Sequence, residues 1–133
     1  MKPILLDTHI LIWLDLEPAR LGKRRLAMLR AMEKARTPIM ISAITLREVA
    51  HQAARGRVVF AKPYDLWLRE VAQHPAYQVM PLTAEVASES VRLGSLEPGD
   101  PADQLIVATA RCAGVALMTD AERIRKSGLV PVV

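Results

Sequence analysis

Residues 3–14 read PILLDTHILIWL, and this stretch decides the class of fold. The apolar run Ile4-Leu5-Leu6 has the length and composition of a buried strand, and the polar residue Asp7 ends it. Apolar residues at helical spacing follow at once, over residues 8–14. A buried strand that passes into a helix is typical of a parallel sheet covered by helices.

The same alternation of apolar runs and helical patterns continues along the chain. Further strands are predicted at residues 38–41, 77–82, 115–119 and 129–133. Helices are predicted at residues 8–14, 21–36, 43–55, 63–74, 83–93, 101–113 and 121–126. Because strands alternate with helices, we predict an α/β fold: a three-layer α/β/α sandwich around a central parallel sheet of four to five strands. The chain contains no linker or repeat, so residues 1–133 are expected to form a single domain.

Composition narrows the class of protein. Of the 133 residues, 51% are hydrophobic and 24% are charged, which excludes a disordered or fibrous chain. The single cysteine, Cys112, excludes an internal disulfide framework and a cysteine-rich zinc module. Charged residues interrupt the apolar runs, and residues 1–6 are too short for the core of a signal peptide. We therefore expect a cytoplasmic protein without a membrane segment.

Charge is divided unevenly between the two halves of the chain. Up to Lys62 there are 12 basic and 5 acidic residues, whereas from Pro63 onward there are 6 basic and 9 acidic residues. A basic half beside an acidic half indicates a polyanionic partner or a cation site. The alternative is a set of solvated helix faces, because several early basic residues could line exposed turns: Arg20, Lys23, Arg24, Arg25, Arg30, Lys34 and Arg36.

Acidic residues fall at the ends of predicted strands and near the starts of predicted helices. Asp7 and Asp120 each follow a strand directly. Both should therefore lie where the carboxyl ends of parallel strands meet, which is where such sheets bind ligands. Glu48 lies about two turns into one helix, and Asp100 and Asp103 lie at the start of another.

Carboxylates that are brought together repel one another and raise one another's pKa unless a cation neutralises them. Oxygen ligands of this kind favour Mg²⁺, with Mn²⁺ as a substitute, over zinc. A magnesium site beside a basic surface suits phosphodiester hydrolysis. Each acid also has a structural interpretation: Asp7, Asp100 and Asp120 could cap helices, and Glu48 could complete a capping box with Thr45.

Four segments of the chain, taken in order, carry a family resemblance. They are Leu5-Leu6-Asp7-Thr8-His9, then Ile41-Ser42-Ala43-Ile44-Thr45 with Glu48, then Asp100-Pro101-Ala102-Asp103 leading into Ile106-Val107-Ala108-Thr109-Ala110, and Leu117-Met118-Thr119-Asp120. The chain resembles the PIN-domain ribonucleases, above all the VapC-type toxins of bacterial toxin–antitoxin pairs. This resemblance covers nearly the whole chain and implies a PIN-like sheet in which the first and fourth strands are neighbours.

The resemblance implies four catalytic, metal-binding acids: Asp7, Glu48, Asp103 and Asp120. Glu48 would help to bind the metal or orient water, while Asp100 would bind metal directly, bind it through water, or only cap a helix. The Thr8 and Thr119 hydroxyls would support the site. The implied function is a Mg²⁺-dependent endoribonuclease toxin that leaves a 5′-phosphate and a 3′-hydroxyl, forms a homodimer and is covered by a small antitoxin.

Basic side chains near the predicted acids are candidate substrate contacts. Arg47, Arg55 and Arg57 surround the helix of Glu48 and could bind RNA phosphate or an acidic tail that imitates it, with solvated surface as the alternative. Arg111 shares a helix with Asp103 and could reach the same edge. Phospho-acceptor domains fit less well, because the second acid that they require near Asp7 is missing. The other alternative is a degenerate PIN domain that binds RNA or protein without catalysis.

Overall fold

The structure is a computed structural model that describes residues 1–133. Its central sheet contains four strands: β1 (Ile4–Leu6), β2 (Ile39–Ser42), β3 (Tyr77–Met80) and β4 (Ala116–Met118). All pairs are parallel, and the order across the sheet is β3-β2-β1-β4. The predicted parallel α/β/α sandwich is therefore confirmed, and so is the placement of the first strand beside the fourth.

Seven α-helices cover the sheet: α1 (Thr8–Leu16), α2 (Lys23–Lys34), α3 (Ala43–Ala54), α4 (Tyr64–Gln73), α5 (Ala84–Ser90), α6 (Pro101–Ala113) and α7 (Glu122–Ser127). Short 3₁₀ turns lie at Pro18–Leu21 and Gly94–Leu96. The helix predicted at residues 21–36 starts later than expected, because Gly22 has a φ of 85° that an α-helix cannot contain. No helix in the structure has both the length and the apolar character needed to cross a membrane.

The strand predicted at residues 129–133 is wrong over most of its length. A single parallel bridge remains, between Leu117 and Val132. Leu117 donates its N–H to the carbonyl of Pro131 at 2.9 Å, and Val133 donates to the carbonyl of Leu117 at 3.0 Å. Pro131 has no N–H, so it cannot extend this pairing into a ladder.

Two hydrophobic clusters cover the two faces of the sheet. Alternate residues of a strand point to opposite faces, so Leu6 packs with α1 to α4 on one side, whereas Leu5 packs with α6 and α7 on the other. Both side chains are fully buried, at 0% exposure. With both faces covered, the strand ends at the edge of the sheet remain available for a site.

Very short connections place polar groups at the carboxyl edge of the sheet. Asp7 alone separates β1 from α1, and α3 begins at the residue after Ser42, the last residue of β2. The Asp7 N–H donates to the carbonyl of Met118, the last residue of β4, at 2.9 Å. The ends of β1, β2 and β4 therefore bring polar side chains together with almost no loop between strand and helix.

Candidate active site

Asp7 is buried at this edge and accepts a hydrogen bond at each carboxylate oxygen. It is 6% exposed. Oδ1 accepts from the Thr8 N–H at 2.8 Å, so Asp7 caps α1 as predicted, and Oδ2 accepts from the Thr119 hydroxyl at 2.6 Å. Thr119 follows β4 directly, so this bond joins two neighbouring strand ends. The donors are neutral, and they stabilise the carboxylate without cancelling its charge.

Glu48 reaches the same edge from α3. Its Oε1 accepts from the Thr8 hydroxyl at 2.6 Å, and that hydroxyl also lies 3.1 Å from Oγ1 of Thr45. Ser42 caps α3, so Thr45 is not the capping residue and the predicted capping box is wrong. Because Thr45 and Glu48 are three residues apart on a helix, they lie on one face and both contact Thr8.

Asp100 and Asp103 come to this edge at the start of α6. Asp100 caps the helix, with Oδ1 accepting from the Ala102 N–H at 2.9 Å, as its structural interpretation predicted. Burial of Asp103 raises its pKa from 3.8 to about 6, and the nearby carboxylates of Asp7, Asp100 and Glu48 contribute to this shift. Burial also raises the pKa of Glu48, as do Asp100 and Asp7, whereas the hydrogen bond from Thr8 lowers it.

We define the acidic group as Glu48 and Asp103, whose pKa values are raised, together with Asp7 and Asp100, whose carboxylates contribute to both shifts. The structure brings together three of the four predicted catalytic acids and the additional acid Asp100. Thr8 and Thr119, the two predicted supporting residues, donate to Glu48 and Asp7 respectively.

Asp120 has a different partner. Its Oδ1 lies 2.9 Å from Nη1 of Arg25, and its side chain is 47% exposed. It does not cap α7, because the N-cap residue is Ala121 and the Ala121 N–H donates to Oγ1 of Thr119 instead. The capping interpretation of Asp120 is therefore wrong, and its metal-binding role stays a prediction.

The chemistry of the acidic group fits a hard divalent cation. Carboxylate oxygens are the ligands that Mg²⁺ and Mn²⁺ prefer, and a cation would offset the burial and the repulsion that raise the pKa of Asp103. As the side chains stand, no three His, Cys, Asp or Glu side chains converge closely enough to hold a metal. Mg²⁺ usually keeps several waters and binds through one or two carboxylates, so this spacing is compatible with a hydrated ion.

The predicted substrate-binding arginines fall into two places. Arg47, Arg55 and Arg57 form what we call the α3 basic group, and all three are exposed. Their charges lower the pKa of His51, with Arg55 as the largest cause. None of the three forms an ion pair. Arg47 is next to Glu48 in sequence, whereas the other two lie at the far end of α3.

Arg111 lies at the opposite edge of the sheet from the acidic group. Its Nε donates to Glu89 at 2.8 Å, and its Nη1 donates to the carbonyl of Leu129. It lines a cavity of about 750 Å³ together with Lys2 and Pro3, which precede β1. The structure therefore does not bring Arg111 to the acids, although both Arg111 and Asp103 belong to α6.

Two residues at the site were not singled out as functional from sequence. The contact of Thr45 could have been predicted from the sequence, because Thr45 lies one helical turn before Glu48 on the same face. Nothing in the sequence distinguishes Arg25, because it is one of seven basic residues from Arg20 to Arg36. The other six are exposed, but the Arg25 side chain is only 16% exposed.

Known proteins with a similar sequence indicate the family to which this chain belongs. The sequence profile of the PIN domain matches residues 4–128, which include the acidic group and Asp120. This chain belongs to the PIN-domain family. It is also 38% identical over 125 residues to Ribonuclease VapC22 of Mycobacterium tuberculosis, a match that covers 94% of this chain and 92% of the relative. It is therefore a PIN-domain protein of the VapC type.

Solved structures of similar fold support the architecture. The VapBC2 structure from Rickettsia felis, bound to a DNA fragment from its promoter, has a TM-score of 0.74 at 16% identity, and the match covers 98% of this chain and 97% of that one. A toxin–antitoxin complex from Klebsiella pneumoniae has a TM-score of 0.66 at 25% identity, over 98% and 95% of the two chains. The PIN-domain arrangement thus extends over the whole of the present chain.

Thr119→Val should lower the free energy of unfolding by about 1.5–3 kcal/mol, because it removes the donor to the buried Asp7 carboxylate. The Ala121 N–H would also lose its acceptor. Urea denaturation at neutral pH measures the loss. Thr109→Val is the matched control, since its hydroxyl donates only to the Leu105 carbonyl within α6 and should cost about 1 kcal/mol or less. Equal losses would contradict a special role for the Thr119 hydroxyl.

Asp103→Asn should stabilise the protein at neutral pH. The pKa of Asp103 is raised from 3.8 to about 6, so the folded protein binds the proton more tightly than the unfolded chain does. Wild-type stability from this residue is therefore fully present below pH 3.8 and is lost as the pH rises to about 6. The gain in unfolding free energy from the substitution should appear across this range of pH.

Urea denaturation of wild type and Asp103→Asn, repeated across that range of pH, shows whether the substitution raises the free energy of unfolding. Asp65→Asn is the control, because Asp65 is exposed and pairs with Arg69 on its own helix. A titration followed by NMR should place the pKa of Asp103 near 6. A pKa close to the ordinary value of 3.8 would show that burial and the neighbouring carboxylates do not disfavour the charged form of Asp103 as described.

Proposed function

We propose that this protein is a Mg²⁺-dependent endoribonuclease and the toxin of a type II toxin–antitoxin pair. The observation that carries the proposal is the acidic group itself: four carboxylates at the carboxyl edge of a parallel sheet in a PIN-domain chain, with the pKa of Asp103 raised to about 6. The similarity to a protein named Ribonuclease VapC22 supports RNA as the substrate.

In this proposal Asp7, Asp103 and Asp120 hold the metal ion, and Glu48 and Asp100 are further oxygen donors near it. Bound Mg²⁺, or Mn²⁺ in its place, supplies positive charge for the scissile phosphate and lowers the pKa of a water molecule. The products would be a 5′-phosphate and a 3′-hydroxyl.

Two threonines set the positions of the proposed catalytic carboxylates. Thr8 donates to Oε1 of Glu48, and Oε2, which takes no part in this bond, would be available to a water molecule or a metal ion. Burial and the neighbouring acids raise the pKa of Glu48, which makes its carboxylate a better proton acceptor for an attacking water. Thr119 holds Asp7 from the β4 side in the same way. The hydroxyls therefore orient the acids and leave their charge available.

The α3 basic group is the proposed contact for the RNA backbone. Arg47, Arg55 and Arg57 are exposed and form no ion pairs, so their charge is available to a polyanion. Such contacts strengthen binding without reading the sequence of the RNA.

The proposed partner is a cognate antitoxin. Solved complexes of similar fold, described as VapBC2 and as a toxin–antitoxin complex, support this partner. An acidic segment of the antitoxin could occupy the α3 basic group in place of RNA. We further propose that the protein is cytoplasmic and forms a homodimer, as the resemblance to VapC-type toxins implies.

Purified protein should cleave a pool of structured RNAs in the presence of Mg²⁺ and should lose this activity in EDTA. Asp7→Asn and Asp103→Asn should each abolish cleavage, because each removes a charge from the metal-binding group. Gel analysis of 5′-labelled RNA identifies the products, and far-UV circular dichroism confirms that each variant is folded. Asp65→Asn, at an exposed position on α4, is the control that should retain activity.

A different result would favour a binding module. If RNA binds equally well to wild type and to both acid variants, and no RNA is cut with Mg²⁺ or Mn²⁺, then the chain is a PIN domain without catalysis. Cleavage that persists in EDTA and in Asp7→Asn would instead indicate a contaminating nuclease.

The variant Arg47→Gln, which removes the charge beside Glu48, should weaken RNA binding and its dependence on salt. Each lost phosphate contact should reduce the slope of log affinity against log salt by about 1. Fluorescence anisotropy with labelled RNA in EDTA measures binding without cleavage. Arg111→Gln is the matched control, because Arg111 lies at the opposite edge, paired with Glu89, and its loss should leave the slope unchanged. Equal changes in the two proteins would contradict the proposed contact.

A further inference from the structure

Arg25 connects α2 to the end of β4. Its Nη1 lies 2.9 Å from Oδ1 of Asp120, while its Nη2 donates to the carbonyls of Thr119 at 3.1 Å and Val133 at 3.0 Å. Arg125 donates to the same Thr119 carbonyl at 3.2 Å. A guanidinium with several partners at fixed geometry is held more firmly than a single surface ion pair.

The contacts of Arg25 involve residues next to the acidic group but none of its members. Thr119, whose carbonyl accepts from Arg25, donates its hydroxyl to Asp7 at 2.6 Å. Asp120, the next residue, is turned to Arg25 instead. The Asp120 side chain is 47% exposed in this ion pair, whereas Asp7, which follows the neighbouring strand, is 6% exposed. One of the predicted metal-binding acids is therefore neutralised by a basic residue of this chain.

We propose that Arg25 is a positioning residue that holds Asp120 outside the acidic group, so that a divalent cation must displace Arg25 to recruit the Asp120 carboxylate. This inference rests on the proposed cation site. In this proposal the Asp120 carboxylate binds either Arg25 or the cation, but not both at once. Arg25 therefore weakens cation binding, and the protein gains the full set of acids only when the cation outcompetes it.

The first test compares Arg25→Gln with Arg24→Gln by isothermal titration of Mn²⁺ into the full chain at near-neutral pH. Both variants lose one positive charge from the same turn of α2, but Arg24 is exposed and forms no ion pair. Arg25→Gln should lower the dissociation constant by about two- to fivefold, the range that a partly exposed ion pair supports. Arg24→Gln should lower it clearly less. Equal effects, or weaker binding by Arg25→Gln, would overturn the proposal.

A double variant shows whether the effect passes through Asp120. In the Asp120→Asn background, Arg25→Gln should change the dissociation constant only as much as Arg24→Gln does, because no carboxylate remains to be released. If Arg25→Gln strengthens Mn²⁺ binding equally with Asp or Asn at position 120, the effect is general electrostatics and the proposal fails.

A measurement on wild-type protein covers the case in which Arg25→Gln does not fold. During titration with Mg²⁺, the side-chain Nε–H signal of Arg25 in a ¹⁵N spectrum should shift in step with cation occupancy, while that of Arg24 should not. The signal is assigned with Arg25→Lys. An Arg25 signal that is unchanged at saturating Mg²⁺ would overturn the proposal.

None of these measurements needs RNA, so their outcome can be distinguished from the outcome of the RNA cleavage experiment. Coupling between Arg25, Asp120 and the cation without RNA cleavage would support the present inference and count against the proposed activity. Absence of cation binding in both wild type and Arg25→Gln would overturn the present inference, whatever the protein does to RNA.

Discussion

Repulsion among carboxylates at the carboxyl edge of the sheet is the constraint on which the site depends. Burial makes the ionisation of Glu48 and Asp103 less favourable, and the charge of Asp7 adds to this effect at both residues. Thr119 and Thr8 stabilise Asp7 and Glu48 through hydroxyl groups rather than through basic residues. A hydroxyl donor lowers the free energy of a carboxylate but leaves its net charge, so the edge keeps its attraction for a cation.

The packing of the sheet fixes this arrangement. In the observed register Leu6 pairs with Met118, so the residues that follow, Asp7 and Thr119, are neighbours. A shift by one residue would move every side chain of β4 to the other face of the sheet. It would move the fully buried Leu117 out of the cluster in which it packs and into the one on the other face, and it would separate the Thr119 hydroxyl from Asp7. The hydrophobic core and the position of the carboxylates are therefore set by the same register.

The sequence predicted the parts of the site that depend on local pattern. Asp7 could be placed because polar residues at the ends of parallel strands share an edge, and Glu48 and Asp103 followed from the family resemblance. Arg111 was placed wrongly, although the helix predicted at residues 101–113 already implied a separation of about 12 Å from Asp103 along its axis. The sequence could not predict the partner of Asp120. Arg25 is 95 residues away in sequence, and several of its neighbours on α2 are also basic. Residues 129–133 have the apolar pattern of a strand, but Pro131 lacks the N–H that a continuous ladder requires.

The basic half of the chain offers less free charge than composition suggests. Arg25 is bound to Asp120, Lys62 pairs with Glu70, and the Arg20 guanidinium lies 4.1 Å from the ring centroid of Trp13. A count of Lys and Arg therefore overstates the surface that a polyanion can use. The unpaired charge on α3 is more informative, because it begins at Arg47, beside Glu48. A polyanion bound at Arg47 would bring negative charge towards the acids, and a cation among them would reduce the resulting repulsion. Binding of RNA to α3 and binding of a cation to the acidic group should therefore strengthen each other.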